Sequence, residues 1–205
     1  GIPADAFLLL FVGRIQPLKA PDIVIEAAAR LRERRPDIAH RLRVVICGGP
    51  SGTGLDRPEA LIDLTTSLGM TDTVHFEPPG DRTRLREWYQ AADLVLVPSY
   101  SESFGLVAVE AQACGVPVVA ADVGGLRTAV ADGRSGVLIS GHNPQDYADV
   151  LARLFDEPER RNELALQARD HAENFSWTST TAGLITAYRA AVDGQVPATS
   201  LPRRA

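Results

Sequence analysis

The sequence predicts a doubly wound α/β fold on a six-stranded parallel sheet, followed by C-terminal helices. Three observations predict it. Short runs such as FLLLFV at 7–12 and LVLV at 94–97 are apolar at every residue, the mark of strands buried on both faces. Helical patterns separate these runs, so the strands run parallel with crossovers between them. The segments after the runs hold glycine, proline and isolated charges, and on such sheets ligands bind beyond the carboxyl ends of the strands.

The elements follow in order. Phe7–Val12 is the first strand, and a helix over Asp22–Arg35 starts on the Pro21-Asp22 signal. Leu42–Cys47 is the second strand, with a helix over Pro58–Leu68. Val74–Phe76 is a short strand before a helix over Arg82–Ala92, and Leu94–Val97 precedes a helix over Phe104–Ala113. Pro117–Ala120, a short helix over Leu126–Ala131 and a last strand over Gly136–Ile139 complete the sheet. Helices over Pro144–Asp156, Pro158–Glu173 and Ser176–Val192 come next. One domain is expected over 1–193, and a loose Pro/Ser/Thr/Arg-rich tail over 194–205.

Composition narrows the function. The 205 residues suffice for one large domain with a sizeable core. The net charge of −5 excludes a nucleic-acid binder, so any bound anion needs a local basic cluster. Cys47 and Cys114 sit in apolar runs and read as small core residues. No run is long enough to span a membrane, which gives a cytoplasmic expectation. The chain opens on Gly1-Ile2-Pro3 and reads as a piece of a longer protein. His40, His75 and His171 lack metal-ligand spacing, and no metal site is assigned.

Three loops carry the chemistry. In Gly13-Arg14-Ile15-Gln16-Pro17-Leu18-Lys19, a Pro-stiffened turn lets the guanidinium fork and the ammonium face one anion, or leaves them as two solvated cations. A P-loop is excluded, because its lysine motif is missing. The second loop, Gly48 to Gly54, permits close backbone approach to a phosphate or sugar, and equally reads as a plain turn. The third is Ser101-Glu102-Ser103-Phe104-Gly105-Leu106, continuing to Glu110. Glu102 is expected just before a helix and Glu110 two turns inside it, roughly 10–12 Å away along the axis. Two carboxylates so spaced suit the two ends of a nucleotide-sugar. The N–H groups near Phe104, Gly105 and Leu106 would offer an anion site between them. Gly124 and Gly125 read as a tight turn beside the sugar pocket, and His142 as a structural turn residue in preference to a base.

Gly13-Arg14…Lys19, Glu102-Ser103-Phe104-Gly105-Leu106…Glu110-Ala111, Pro117-Val118-Val119-Ala120 and Gly124-Gly125 resemble the C-terminal, Rossmann-like domain of GT-B glycosyltransferases of family 4, the glycosyl transferases group 1. The resemblance covers nearly the whole chain. It implies a retaining hexosyltransferase that uses a nucleotide-sugar as substrate and requires no cofactor. Carried over, Arg14 and Lys19 hold the diphosphate, Glu102 the hexose hydroxyls, Glu110 the ribose, and the backbone near Gly80 the uracil. Arg14, Lys19 and Glu102 would act in catalysis. The runs VGRIQPLKAPD, ICGGPSG, VPSYSESFGLVAVEAQACG, SGHNP and FSW resemble the branch that serves mycothiol biosynthesis. That branch transfers N-acetylglucosamine from UDP-N-acetylglucosamine to 1D-myo-inositol 3-phosphate. Rival readings are a GDP-mannose or UDP-glucose enzyme, or a non-catalytic nucleotide-binding module. The resemblance also implies a structural magnesium near the Tyr89–Ala92 helix end and residue 116, where Val116 replaces a usual Thr. The partners implied are a UDP-sugar, a sugar-phosphate acceptor and an N-terminal domain absent from this chain. Leu184, Ile185 and Tyr188 on the last helix suggest an exposed stripe, and with it self-association, as in a homodimer.

Overall fold

The computed structural model describes residues 2–49 and 59–194. It divides the chain into two compact units, residues 1–172 and 173–205. The first holds a six-stranded parallel sheet: β1 (Phe7–Val12), β2 (Leu42–Cys47), β3 (Val74–Glu77), β4 (Leu94–Val97), β5 (Val118–Ala121) and β6 (Gly136–Ile139). The strand order is β3-β2-β1-β4-β5-β6. The chain winds outward one way from β1 to β3, then returns to the middle for β4. The switch therefore falls between β1 and β4, and a crevice opens there beyond their carboxyl ends.

The alternation of side chains on β1 builds two cores. Leu9 and Phe11 face one layer, with Ile23, Val24 and Ala27 of α1 (Pro21–Arg34) and Tyr147 and Leu151 of α6 (Pro144–Asp156). Leu8 and Leu10 face the other, with Tyr89 of α3 (Arg82–Ala91) and Ala108 and Ala111 of α4 (Leu106–Ala113). Leu9 and Leu10 have no exposed surface, and burying such a side chain contributes about 1.5–3 kcal/mol. The remaining helices of this unit are α2 (Ala60–Ser67), α5 (Leu126–Ala129) and α7 (Pro158–Ala172).

Helix boundaries depart from the sequence reading where backbone chemistry overrides pattern. The fourth helix starts at Leu106 and not at Phe104, because Gly105 sits at φ 95°, a left-handed conformation that ends the helix on that side. A Cβ there would also lie 2.9 Å from Leu126 Cδ2. Pro58, the expected start of the second helix, and residues 50–54 of the glycine loop lie outside the described residues, as does the tail from 195 onward. An unanticipated 3-10 turn spans Pro17–Lys19.

The second unit contains a 3-10 turn (Glu173–Phe175) and α8 (Trp177–Val192). Ser176 caps α8 by accepting the Ser179 N–H at 3.1 Å. No α8 residue is buried, and Leu184, Ile185 and Tyr188 are all exposed. Among the described residues no helix is long and apolar enough to cross a membrane.

Candidate functional site

The crevice at the switch point brings together the loops after β1, β4 and β5. The loop after β1 is pinned to the end of β2: the Gly13 N–H donates to the Cys47 carbonyl and the Ile15 N–H to that of Gly49, each at 3.0 Å. Pro17 then starts the 3-10 turn, and Ala20 closes it in a left-handed conformation with its N–H on the Pro17 carbonyl. That turn aims Lys19 inward. Lys19 Nζ donates to Glu102 Oε2, and both side chains are largely shielded from water, at 20% and 16% exposure. Arg14 is exposed and forms no ion pair among the described residues. Two of the acidic and basic groups singled out in the sequence thus meet across 83 positions, while Arg14 keeps its charge uncompensated.

The loop after β4 is held on both sides. The Tyr100 N–H donates to the Leu18 carbonyl at 3.0 Å, next to Lys19. The Gly125 N–H donates to the Glu102 carbonyl at 2.8 Å. A Cβ on Gly124 would lie 2.2 Å from that same carbonyl oxygen, so the β5 loop must be bare there to let Glu102 seat. The tight turn expected at Gly124 and Gly125 thereby has a steric reason.

With Gly105 as cap, the Val109 N–H is the first to reach back, to the Gly105 carbonyl at 3.2 Å. By position, the orphan donors of the helix start are therefore Leu106, Val107 and Ala108, and Phe104 lies before them. Because α4 starts at Leu106, Glu110 lies about one turn inside it, not two, and Glu102 precedes the helix as expected. Glu102 stands in the loop, and Glu110 is on α4, where its carboxylate accepts the Tyr89 hydroxyl at 2.9 Å. Burial, reinforced by the Glu110 charge, pushes the Tyr89 phenol far above its ordinary value. Tyr89 therefore stays protonated and donates.

Gly80 lies further along the same edge. With Gly13, Arg14, Gly48, Gly49 and Pro79 it lines a cleft of about 300 Å³ at the carboxyl ends of β1 to β3. Its walls are mostly apolar and backbone, the character of a site for a flat base. A larger cleft of about 720 Å³ opens at the β3 edge. The two arginines that line it are engaged, Arg84 with Glu77 at 3.1 Å and Arg43 with the His40 and Leu42 carbonyls at 3.0 and 2.7 Å, so the smaller cleft, which Arg14 lines, is the better place for a nucleotide.

The helix end at Tyr89–Ala92 does not fit a magnesium held through a side-chain oxygen of residue 116. Val116 offers only an isopropyl group, 4% exposed, in the same apolar cluster as Tyr89. The Ala92 N–H donates to the Trp88 and Tyr89 carbonyls at 3.2 and 3.1 Å. No group of three or more His, Cys, Asp or Glu among the described residues could hold a metal.

The arrangement matches known proteins. The family model for glycosyl transferases group 1 matches residues 1–171. The chain belongs to that family. Curated relatives of this glycosyltransferase domain include the D-inositol 3-phosphate glycosyltransferases of Thermomonospora curvata and Salinispora arenicola. The first is 59% identical over 193 residues, covering 94% of this chain and 45% of the relative. The second is 58% identical over 200 residues, covering 98% and 45%. The chain thus spans a little under half the length of these relatives. Among solved structures, Anabaena Alr3699/HepE in complex with UDP-glucose aligns with TM-score 0.80 at 26% identity, covering 92% of this chain and 50% of that one. The C-terminal domain of a glycosyl transferase group 1 family protein (LpcC) from Francisella tularensis aligns with TM-score 0.73 at 26% identity, covering 82% and 85%. The fold is that of a GT-B C-terminal domain.

Sequence reasoning passed over three residues that shape this site. Tyr89 was part of a helix pattern with nothing to tie it to Glu110. Pro79 carried no signal beyond a turn. Tyr100 carried none either; its ring stacks, at 4.1 Å between centroids, on His142, which the sequence reads as a structural turn residue.

Proposed function

We propose that this chain binds the UDP-sugar donor of a retaining hexosyl transfer, with UDP-N-acetylglucosamine as donor and 1D-myo-inositol 3-phosphate as acceptor. The observation that carries it is the convergence of Arg14, the Lys19–Glu102 pair and the α4 start at the switch point, beside the cleft at Gly80. The shared name of relatives 58–59% identical supports the acceptor. In this reading uracil occupies the Gly80 cleft and Glu110 takes the ribose. Arg14, Lys19 and the N–H groups of Leu106–Ala108 face the diphosphate, whose charge grows as the sugar leaves, and stabilise that charge electrostatically. Glu102 serves the hexose hydroxyls and keeps Lys19 oriented before the donor arrives.

A second reading, glucose as the transferred sugar, is favoured by the UDP-glucose complex of Alr3699/HepE. Thermal shifts with UDP, GDP and ADP, followed by UDP-N-acetylglucosamine against UDP-glucose, separate the readings. Stabilisation by UDP and its N-acetylglucosamine ester above the others supports the first, and preference for GDP overturns both. Acceptor transfer by this chain alone should be undetectable. Positioning of two substrates contributes about 7–11 kcal/mol, and we assign the acceptor pocket to the part of the relatives that this chain does not match. Robust transfer would refute that assignment. We also propose self-association through the α8 stripe. Leu184→Lys should lower the sedimentation-derived mass, and an unchanged mass would refute it.

A further inference from the structure

We propose that His142 is a positioning residue for the donor site, acting through Tyr100 on the loop that carries Glu102. This rests on the donor-site reading above and adds a residue to it from the one loop at that rim not yet used, the β6–α6 turn.

The turn presents the ring in a fixed place. Gly141 turns the backbone at φ 89°, Asn143 caps α6 by accepting the Gln145 N–H at 3.1 Å, and Pro144 opens the helix. His142 between them makes two contacts. Its Nε2 lies 3.2 Å from the Ser99 carbonyl. A carbonyl only accepts, so Nε2 carries the proton and donates. Its ring stacks on Tyr100 at 4.1 Å between centroids and 22° between planes. Ser99 is buried, but Tyr100 is 52% exposed, so water would leave that ring free to change rotamer without its neighbour. Glu102 follows two residues later.

The same loop is fixed by backbone bonds to the β1 loop, Tyr100 to Leu18, and to the β5 loop, Gly125 to Glu102. His142 adds β6 as the third anchor. Lys19, by contrast, has its own support in the 3-10 turn and in the bonds to Cys47 and Gly49. Loss of His142 therefore reaches the hexose end of the donor more than the diphosphate end.

The experiment is calorimetric titration of the full chain with UDP and with UDP-N-acetylglucosamine, alongside Tm. His142→Ala should raise the Kd for the UDP-sugar about tenfold and that for UDP less than about threefold, with a small change in Tm. His142→Asn, which keeps a donor, and His142→Phe, which keeps a stacking ring, should each recover part of the loss. Tyr100→Leu should reproduce His142→Ala and serves in its place if that variant fails to fold. A purely structural residue would lower Tm and leave the ratio of the two Kd values at its wild-type level; that result overturns the role. Unchanged affinity for both ligands also overturns it while leaving the donor-site reading intact. Failure of folded wild type to bind UDP overturns the donor-site reading, and this role with it.

Discussion

The two ends of the sheet use the same kinds of residue for opposite purposes. At the amino end the cations around Phe7 and Phe155 are paired or stacked. Arg35 pairs with Asp37 at 2.8 Å and Asp156 at 2.7 Å. Arg161 approaches Asp93 at 3.5 Å, and Asp93 also accepts the Leu8 N–H at 2.8 Å. Phe7 and Phe155 meet edge to face at 5.1 Å, with Arg35 and Arg41 over the Phe155 ring and Arg161 over Phe7. At the carboxyl end Arg14 has no ion-pair partner among the described residues, glycines replace side chains at the closest approaches, and a shielded pair, Lys19–Glu102, joins two groups that a donor would engage. The amino end closes the molecule on itself. The carboxyl end leaves charge and backbone donors for a ligand.

The largest expected effect falls on the open end. In a full-length protein carrying this chain, Arg14→Ala or Lys19→Ala should lower kcat/KM by about 10²-fold or more, roughly 3 kcal/mol of transition-state stabilisation, with Tm little changed. Lys19→Arg should not restore it fully, because the planar fork cannot take the place of the compact ammonium on Glu102. Wild-type rates in both alanine variants would erase the distinction between the ends.

Gly124→Ala comes next. Its Cβ would press on the Glu102 carbonyl, so denaturant unfolding should show a loss of about 1–3 kcal/mol. An unperturbed stability would mean the β5 loop can retreat from Glu102.

A smaller effect separates the acids. Glu110→Ala should weaken UDP about tenfold, about 1.4 kcal/mol. Glu102→Ala should leave UDP binding nearly intact and impair use of the sugar, since it frees Lys19 for the phosphates as it removes the hexose contact. Equal losses of UDP affinity in calorimetry would contradict this division.

The smallest effect belongs to the closed end. Arg35→Ala should leave the UDP Kd within about twofold of wild type. Its effect on Tm has a defined pH dependence. The Arg35 guanidinium holds the Asp37 carboxyl below its usual value, so the pair stabilises the fold above that usual value, about 3.9. The stability is lost as pH falls through the lower, folded value. Arg35→Ala should therefore lower Tm at neutral pH and converge on wild type in strong acid. A Tm difference that persists at low pH would assign the loss to packing on Phe155 instead.

Much of the fold was legible in the sequence because parallel strands buried on both faces must be apolar throughout. Phe7–Val12, Leu42–Cys47, Leu94–Val97 and Gly136–Ile139 fall where the pattern puts them. The strand order, which places β1 beside β4, is set by crossovers that no local pattern encodes. The candidate site was legible as a set of loops, because charged residues after buried strands have few structural uses. Its pairings were not. Lys19 reaches Glu102 only through the 3-10 turn that Pro17 starts, and Gly105 moved the helix start because its left-handed φ is invisible in a run that otherwise reads as helix. Tyr89–Glu110 and Tyr100–His142 depend on how separate loops and helices dock.

The difference between the two ends is tested most directly by titrating this chain with UDP and following backbone amide NMR shifts. Saturable shifts are expected at 13–19, 48–49, 79–80 and 102–110, with a Kd between roughly 10 μM and 1 mM. The amino-end residues around Arg35, Asp93 and Phe155 should remain still. A well-dispersed, folded spectrum with no response to UDP, or a response centred on the amino end, would contradict the account.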